Sequence, residues 1–222
     1  MTGSDPDGRI RLRLIADDLT GALDTAAEFV GALGPVRVAW GGPRRLADAA
    51  LAFDVASREV SPEEAAGRVV EASRLLGLCR ADIAYMKLDS LLRGHAGREI
   101  AAAIEACDFT HVIVAPAFPY QNRRTRDGRQ WAPIDGVWSA TGEDVGATLA
   151  GLGIAVTRAP AAAAPTDGVT IFDAETDADL DRIVASVRAL GPSARVLWCG
   201  SGGLAGALAR DAGGTIAAPD LG

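Results

Sequence analysis

The stretch Ile10-Arg11-Leu12-Arg13-Leu14-Ile15-Ala16, followed at once by Asp17-Asp18-Leu19-Thr20-Gly21, decides the fold. A short apolar run is the mark of a buried strand, and the polar residues that follow end it abruptly. From Leu19 apolar residues recur at helical spacing as far as Leu33, where Gly34-Pro35 stops the helix. A strand feeding directly into a helix is the unit of parallel α/β proteins.

The same alternation continues outward from this unit. Strands are predicted at 36–40, 50–56, 82–88, 111–115, 154–158, 169–173 and 195–199. Helices are predicted from Ser61 to about Leu78, and over 94–107, 143–152, 178–190 and 204–211. Ser61, Pro62 and Glu64 form a capping box with proline in the first helical turn. Residues 116–142, rich in Pro, Arg, Gly and Trp, read as irregular or a hairpin, and the Ala-Pro tract at 159–165 as a surface loop. The expected architecture is α/β: three layers, with a largely parallel sheet and helices on both faces, in a single domain over residues 1–222.

Composition narrows the function classes. The chain has 222 residues, a formal charge of −7, 49% hydrophobic and 23% charged residues. That is ordinary globular composition, and the acidic balance argues against a nucleic-acid partner. No apolar stretch reaches the length of a membrane span, and residues 1–9 do not read as a secretory signal, so a cytoplasmic location is expected. Cys79, Cys107 and Cys199 are too few and too scattered for a disulfide framework; they read as small, reduced, buried apolar residues. With only His95 and His111, no metal site is expected, and both histidines read as structural or peripheral.

Ligands of open α/β sheets bind beyond the carboxyl ends of the strands, and the polar clusters fall there. Asp17-Asp18 ends the first strand; one carboxylate can accept a hydroxyl proton, and Asp18 can equally cap the following helix. Ser57-Arg58 ends the third, with Arg58 free to bind a ligand or to pair with Glu59 or Glu63. Lys87, Asp89, Ser90, Arg93 and Gly94 follow the fourth. Lys87 is the only lysine in an arginine-rich chain, which suggests that a compact ammonium is wanted there. Arg93 suits a carboxylate, and Gly94 opens a helix whose N–H groups favour anions. An Asp-Arg pair with a serine cap is the plainer reading of that cluster. Pro116-Ala117-Phe118-Pro119 follows the next strand, with Arg123, Arg124 and Arg126 either clamping an anion or forming a solvated face. Gly200-Ser201-Gly202-Gly203-Leu204-Ala205 matches a dinucleotide fingerprint by letter but lacks the following βαβ unit. It is either an anion-binding helix start or a tight packing turn. There is no P-loop.

Taken in order, these motifs resemble the four-carbon acid sugar kinase family. The residues that carry the resemblance are Ala16-Asp17-Asp18-Leu19-Thr20-Gly21-Ala22, Ser57-Arg58, Lys87 with Asp89-Ser90, Leu92-Arg93-Gly94 and Glu99, Pro116-Ala117-Phe118-Pro119, and Gly200 to Ala205. The sequence differs from the family in Leu91, where threonine is usual, and in Tyr120 to Thr125. The resemblance implies the substrate-binding domain of an ATP-dependent kinase acting on a threonate, erythronate or 3-oxo-tetronate. A stand-alone binding module for a small hydroxy acid is the alternative. By the same resemblance Asp18 and Asp89 are the catalytic candidates, and Asp17, Ser57, Arg58, Lys87, Ser90, Arg93, Gly94, Phe118, Ser201 and Gly202 bind substrate. Only the first of the family's two domains is matched. ATP and Mg²⁺ are therefore expected only with a separate nucleotide-binding domain, a partner in trans being one form of it, and the chain alone is expected to bind no cofactor and to be inactive as a kinase.

Overall fold

The computed structural model describes residues 9–42 and 46–213. The N-terminal segment read above as lacking a secretory signal lies outside them, except for Arg9. The elements in chain order are β1 (Leu12–Ala16), α1 (Leu19–Leu33), β2 (Arg37–Ala39), β3 (Ala50–Asp54), α2 (Pro62–Leu76), β4 (Ile83–Lys87), α3 (Ala96–Ala106) and β5 (His111–Ala115). They continue with β6 (Arg124–Arg126), β7 (Arg129–Ile134), β8 (Val137–Ala140), α4 (Val145–Gly151), β9 (Val156–Pro160), β10 (Gly168–Asp173), α5 (Asp177–Arg188), β11 (Val196–Gly200) and α6 (Gly202–Asp211).

Eight strands form one parallel sheet in the order β2-β3-β1-β4-β11-β5-β10-β9. The expected three-layer architecture follows from alternation along the strands. Leu12, Leu14, Ile83, Tyr85 and Trp198 face the layer that includes Ala22, Ala26 and Phe29 of α1, Leu180 of α5 and Leu208 of α6. Ile15, Ala84, Met86, Leu51 and Leu197 face Val69 of α2, Ile100 of α3 and Leu149 of α4. Arg13 is the exception on the second face. It is buried, and its guanidinium donates to the Leu76 carbonyl at 2.7 Å, satisfying the end of α2.

The helix starts are chemically encoded. Asp18 accepts from the Gly21 N–H, Ser61 from Glu64, Asp144 from Ala147, and Thr176 with Asp179 makes a reciprocal capping box.

Three features differ from expectation. Residues 124–140 build a three-stranded antiparallel sheet, β6-β7-β8, so the region read as irregular or a hairpin holds two successive hairpins rather than one. The Ala-Pro tract begins inside β9, and its Ala159 and Ala161 are core residues rather than loop surface. Cys79 and Cys107, read as free, are joined in a disulfide. The short helical turn Leu78–Arg80 after α2 and the end of α3 come together at the lower edge of the sheet, which a 28-residue spacing does not reveal. Cys199 alone is free; it is buried, and burial pushes its thiol up.

Candidate functional site: a cation-lined pocket at the strand ends

The last long-range strand, β11, inserts between β4 and β5, so β3, β1, β4, β11 and β5 lie side by side. All five polar clusters therefore meet on one rim. Between β1 and β4 the chain switches sides: α1 leaves towards one face and α3 towards the other. A crevice opens at such a switch point. Here it is a pocket of about 650 Å³. Asp18, Arg58, Lys87, Asp89, Ser90, Arg93, Phe118, Ser201 and Gly202 line it. Asp17, Ser57 and Gly94 stand behind that wall.

Asp17 is buried and held by Arg58 through two parallel hydrogen bonds, Nε to Oδ2 at 2.7 Å and Nη2 to Oδ1 at 2.9 Å. The remaining Arg58 nitrogen donates to Asp18 Oδ2 at 2.6 Å. Burial alone would discourage the guanidinium charge. The hydrogen bond and field of Asp17, aided by Asp18 and Asp89, outweigh it and raise the pKa of Arg58. Asp18 thus does two jobs, capping α1 through Oδ1 and meeting Arg58 through Oδ2.

Asp89 is more tightly committed. Arg93 grips it through Nε at 2.8 Å and Nη2 at 2.7 Å, and the N–H groups of Leu91 and Arg93 add bonds at 3.1 Å. Burial works against its charge, but these Arg93 bonds and the field of Arg58 bring its pKa down to about 2. The Asp-Arg pairing read as the plain alternative is therefore present. Gly94 turns the chain here at φ +87°, a conformation that costs a side-chain-bearing residue energy.

Lys87 has no hydrogen-bond or ion-pair partner among the described residues, although it is only 8% exposed. Burial lowers its pKa, with Asp17, Asp89 and Asp18 pulling the other way from a longer range. Its ammonium lies over α1, where a Cβ on Gly21 would sit 2.9 Å from Nζ and 2.6 Å from Asp18 Oδ1. A side chain at position 21 would displace the Asp18 carboxylate and the Lys87 ammonium.

Behind Asp17, Ser57 donates a short hydrogen bond to Glu99, whose pKa burial lifts to about 7. Glu99 belongs to the quoted motif but carries no assigned role in the sequence reading.

The turn at 200–203 is a packing device. A Cβ on Gly200 would sit 2.7 Å from the Ala115 carbonyl oxygen, and one on Gly203 2.5 Å from that of Ala117. The Ser201 hydroxyl donates to Ala117 at 3.0 Å, and Tyr85 donates to the Ser201 carbonyl at 2.6 Å. The turn also places Ser201, Gly202 and Gly203, at the start of α6, in the pocket lining.

Sequence reasoning passed over the rest of the lining. Tyr120 and Gln121, on a short turn after Phe118, lie beside Ser90. Asp24, Glu28, Asp177 and Arg210 form the opposite end, brought together from α1, α5 and α6. Of the arginine cluster, none lines the pocket: Arg124 and Arg126 pair with Glu175 and stack on Trp138, and Arg123 donates to the Gln121 carbonyl. His95 meets the Val60 carbonyl and His111 meets Thr110 and Asp167, both away from the pocket lining. Among the described residues no helix is long and apolar enough to cross a membrane, and no three His, Cys, Asp or Glu side chains are grouped to hold a metal ion.

Fold and pocket define an α/β domain with a pocket at the switch point of a parallel sheet. Comparison with known proteins narrows this: residues 12–145 and 143–208 match the family model of the sugar-binding N-terminal domain, and the chain belongs to that family, the N-terminal domain of four-carbon acid sugar kinases. It is 36% identical to a D-threonate kinase of Bordetella bronchiseptica, over 94% of this chain and 57% of that protein. It is also 36% identical to one of Cupriavidus necator, over 88% of this chain and 53% of that protein. The chain thus spans about half the length of these relatives. A Bordetella bronchiseptica structure of a domain of unknown function, crystallised with bound citrate as a domain-swapped dimer, aligns with TM-score 0.72 and 30% identity, over 91% of this chain and 57% of that one. A Haemophilus influenzae protein shares the fold, with TM-score 0.68 at 17% identity, over 92% of this chain and 57% of that one.

Proposed function

We propose that residues 12–211 form the acceptor-binding domain of an ATP-dependent kinase for a four-carbon sugar acid of the threonate, erythronate or 3-oxo-tetronate type. The observation that carries this reading is Lys87: a buried ammonium without a partner among the described residues, on the lining of a pocket at the strand ends. A small acid would supply the direct hydrogen-bonding partner that the ammonium lacks among the described residues. The names of the relatives support the substrate class, and the citrate held by the Bordetella protein fits a pocket for carboxylic acids.

Phosphoryl transfer needs a positioned hydroxyl and compensation of the charge on the transferred group. Of the two carboxylates at the rim, Asp18 is the better acceptor for the hydroxyl proton. Asp89 is held near pKa 2 by Arg93 and Arg58, so it is a weak base. ATP and Mg²⁺ enter this reading with a separate nucleotide-binding domain, whether on the same polypeptide or another.

Calorimetry with threonate, erythronate and their oxidised relatives tests the binding half of the proposal, and binding of none of them defeats it. ADP release measured with and without a matching nucleotide domain tests the other half. Turnover is expected only when that domain is present; robust turnover by the 222-residue chain alone refutes the division of labour.

A further inference from the structure

The lower edge of the sheet, at the opposite ends of the strands from the pocket above, holds a second cavity of about 540 Å³. Its wall forms where neighbouring strands begin. Arg9, Asp82, Arg195 and Phe109 stand one to three residues before β1, β4, β11 and β5. Gly191 and Pro192, on the turn after α5, close one side, and Val187 and Trp198 give it an apolar floor. The volume is within the usual range for small-molecule sites.

The charge of this cavity is opposite to that of the chain. Arg9, Arg80, Arg188 and Arg195 line it against one carboxylate, Asp82, although the protein carries a formal charge of −7. Arg80 has no hydrogen-bond or ion-pair partner among the described residues. Arg9 and Arg188 use only Nε, on Asp82 and Asp211, and Arg195 uses Nε and Nη2 on Asp108. Each therefore keeps at least one terminal nitrogen for a ligand. Asp108 is 93% exposed, and a pair that open to water is displaced at little cost.

The second feature is sulfur. Cys79 is exposed and lines the cavity; its disulfide partner Cys107 is buried in the layer of α2 and α3 and does not. A thiolate arriving from solvent thus has access to one sulfur of the pair, and it arrives among arginines.

We infer that Cys79 is a site of thiol–disulfide exchange with a small thiol bearing carboxylates, of the glutathione kind, which the arginines of this cavity seat. The incoming thiolate bonds to Cys79 Sγ, and the Cys79–Cys107 bond breaks. The electron pair leaves on Cys107 Sγ, which takes up a proton. Attack by a second thiol on the ligand's sulfur then releases the ligand as its own disulfide and leaves Cys79 reduced. The two thiols supply the two electrons, and no other oxidant or reductant enters. Cys107 stays beside Cys79, so the mixed disulfide can also close again and expel the ligand. The exchange is separate from sugar-acid binding, because the cavity and the pocket lie at opposite ends of the strands.

The test measures how fast glutathione and N-acetylcysteine amide, a thiol without carboxylates, open the disulfide of the 222-residue chain. The ratio of the two rates is compared between the wild type and an Arg80→Gln, Arg195→Gln chain, which cancels the intrinsic reactivities of the two thiols. The double variant is expected to lower the ratio about 10-fold, with the thermal midpoint of its oxidised form little changed. An unchanged ratio overturns the proposal. Salt gives a reading that needs no variant: the glutathione preference of the wild type should shrink as ionic strength rises, and a preference indifferent to salt refutes a seat made of arginines. Acid-quenched samples taken early in the reaction should carry glutathione on Cys79 by peptide mass spectrometry. Glutathione on Cys107, no opening by glutathione where dithiothreitol opens the bond, or free thiols at both positions in the unreduced chain would each defeat the assignment.

Discussion

Arg58 and Asp17 are locked side to side, two nitrogens on two oxygens at 2.7 and 2.9 Å, with the carboxylate fully inside the wall of the pocket. The third nitrogen holds Asp18, so one guanidinium joins the ends of β1 and β3 and fixes both members of the acidic pair. Removing it strands a buried carboxylate. Arg58→Ala is expected to cost about 3 kcal/mol of stability in urea unfolding, the usual penalty for orphaning half of a buried pair. Arg58→Lys should recover only part of that, because an ammonium cannot reproduce the fork. A loss below about 1 kcal/mol for the alanine variant would mean that Asp17 is neutral in the wild type.

Glu99 makes stability depend on pH. Its carboxyl is buried behind Asp17 and hydrogen-bonded by Ser57, and burial holds its folded pKa at about 7 against a usual 4.5. The folded protein keeps the proton over a range where the unfolded chain releases it. Its contribution is thus complete below pH 4.5 and is lost as the pH rises to 7, by on the order of 3 kcal/mol. Glu99→Gln keeps an acceptor for Ser57 and removes the titration. Urea midpoints from pH 4.5 to 7.5 should therefore fall less steeply for the variant than for the wild type; parallel curves would show that Glu99 ionises normally.

Much of this site is legible because its chemistry is local. Asp18 caps α1 from the adjacent position, and Gly21 three residues later leaves Asp18 and Lys87 undisturbed. Gly94 sits where a left-handed turn is needed. Strand-end placement follows from the alternation of elements, so Arg58, Lys87 and Ser201 could be assigned to one rim. What the sequence hides is who neighbours whom. That β11 enters between β4 and β5 is a choice among topologies with the same local pattern. That insertion sets α6, with Arg210, beside α1, and Glu28 of α1 meets Asp177 of α5. The pairing of Arg93 with Asp89 is likewise a matter of rotamers. The residues 116–142 defeated periodicity because β6, β7 and β8 are short and carry both arginine and proline.

The disulfide gives a sharp test of the lower edge of the sheet. Cys79–Cys107 closes a loop across β4 and α3. Restricting the unfolded chain in this way contributes about 2–4 kcal/mol. Dithiothreitol should lower the thermal midpoint of the wild type and leave that of a Cys79→Ser, Cys107→Ser chain unmoved. The pocket lies at the opposite ends of the strands, so threonate affinity should be the same with and without reductant. Equal melting of the wild type in both conditions would show that the bond does not form in solution.

The tightness of the glycine turn sets another expectation. Cβ atoms at Gly200 and Gly203 would press on backbone oxygens of the neighbouring β5 end, which cannot swing aside as a side chain can. Gly203→Ala should cost about 1–3 kcal/mol by overpacking. An alanine at Gly151, where a Cβ meets nothing within 4 Å, serves as the control.

Asp18 and Asp89 can be separated by conservative amides. Asparagine is as good an N-cap as aspartate, so Asp18→Asn keeps the start of α1 and the room around Gly21. It loses the capacity to take a proton. In the presence of the nucleotide domain, kcat should fall about 10²- to 10⁴-fold, the range for loss of a general base, with threonate affinity within a few-fold of wild type. Asp89→Asn behaves differently, because that carboxylate is a structural anchor: it carries Arg93, two backbone N–H groups and the field of Arg58. Its loss should appear first in the thermal midpoint. Turnover should fall only as far as the misplaced loop disturbs binding, raising KM more than it lowers kcat. The measurement is the ADP-release rate across threonate concentrations for both variants, alongside their melting curves. Near-wild-type kcat in Asp18→Asn together with a collapse of kcat in a well-folded Asp89→Asn would reverse the two assignments.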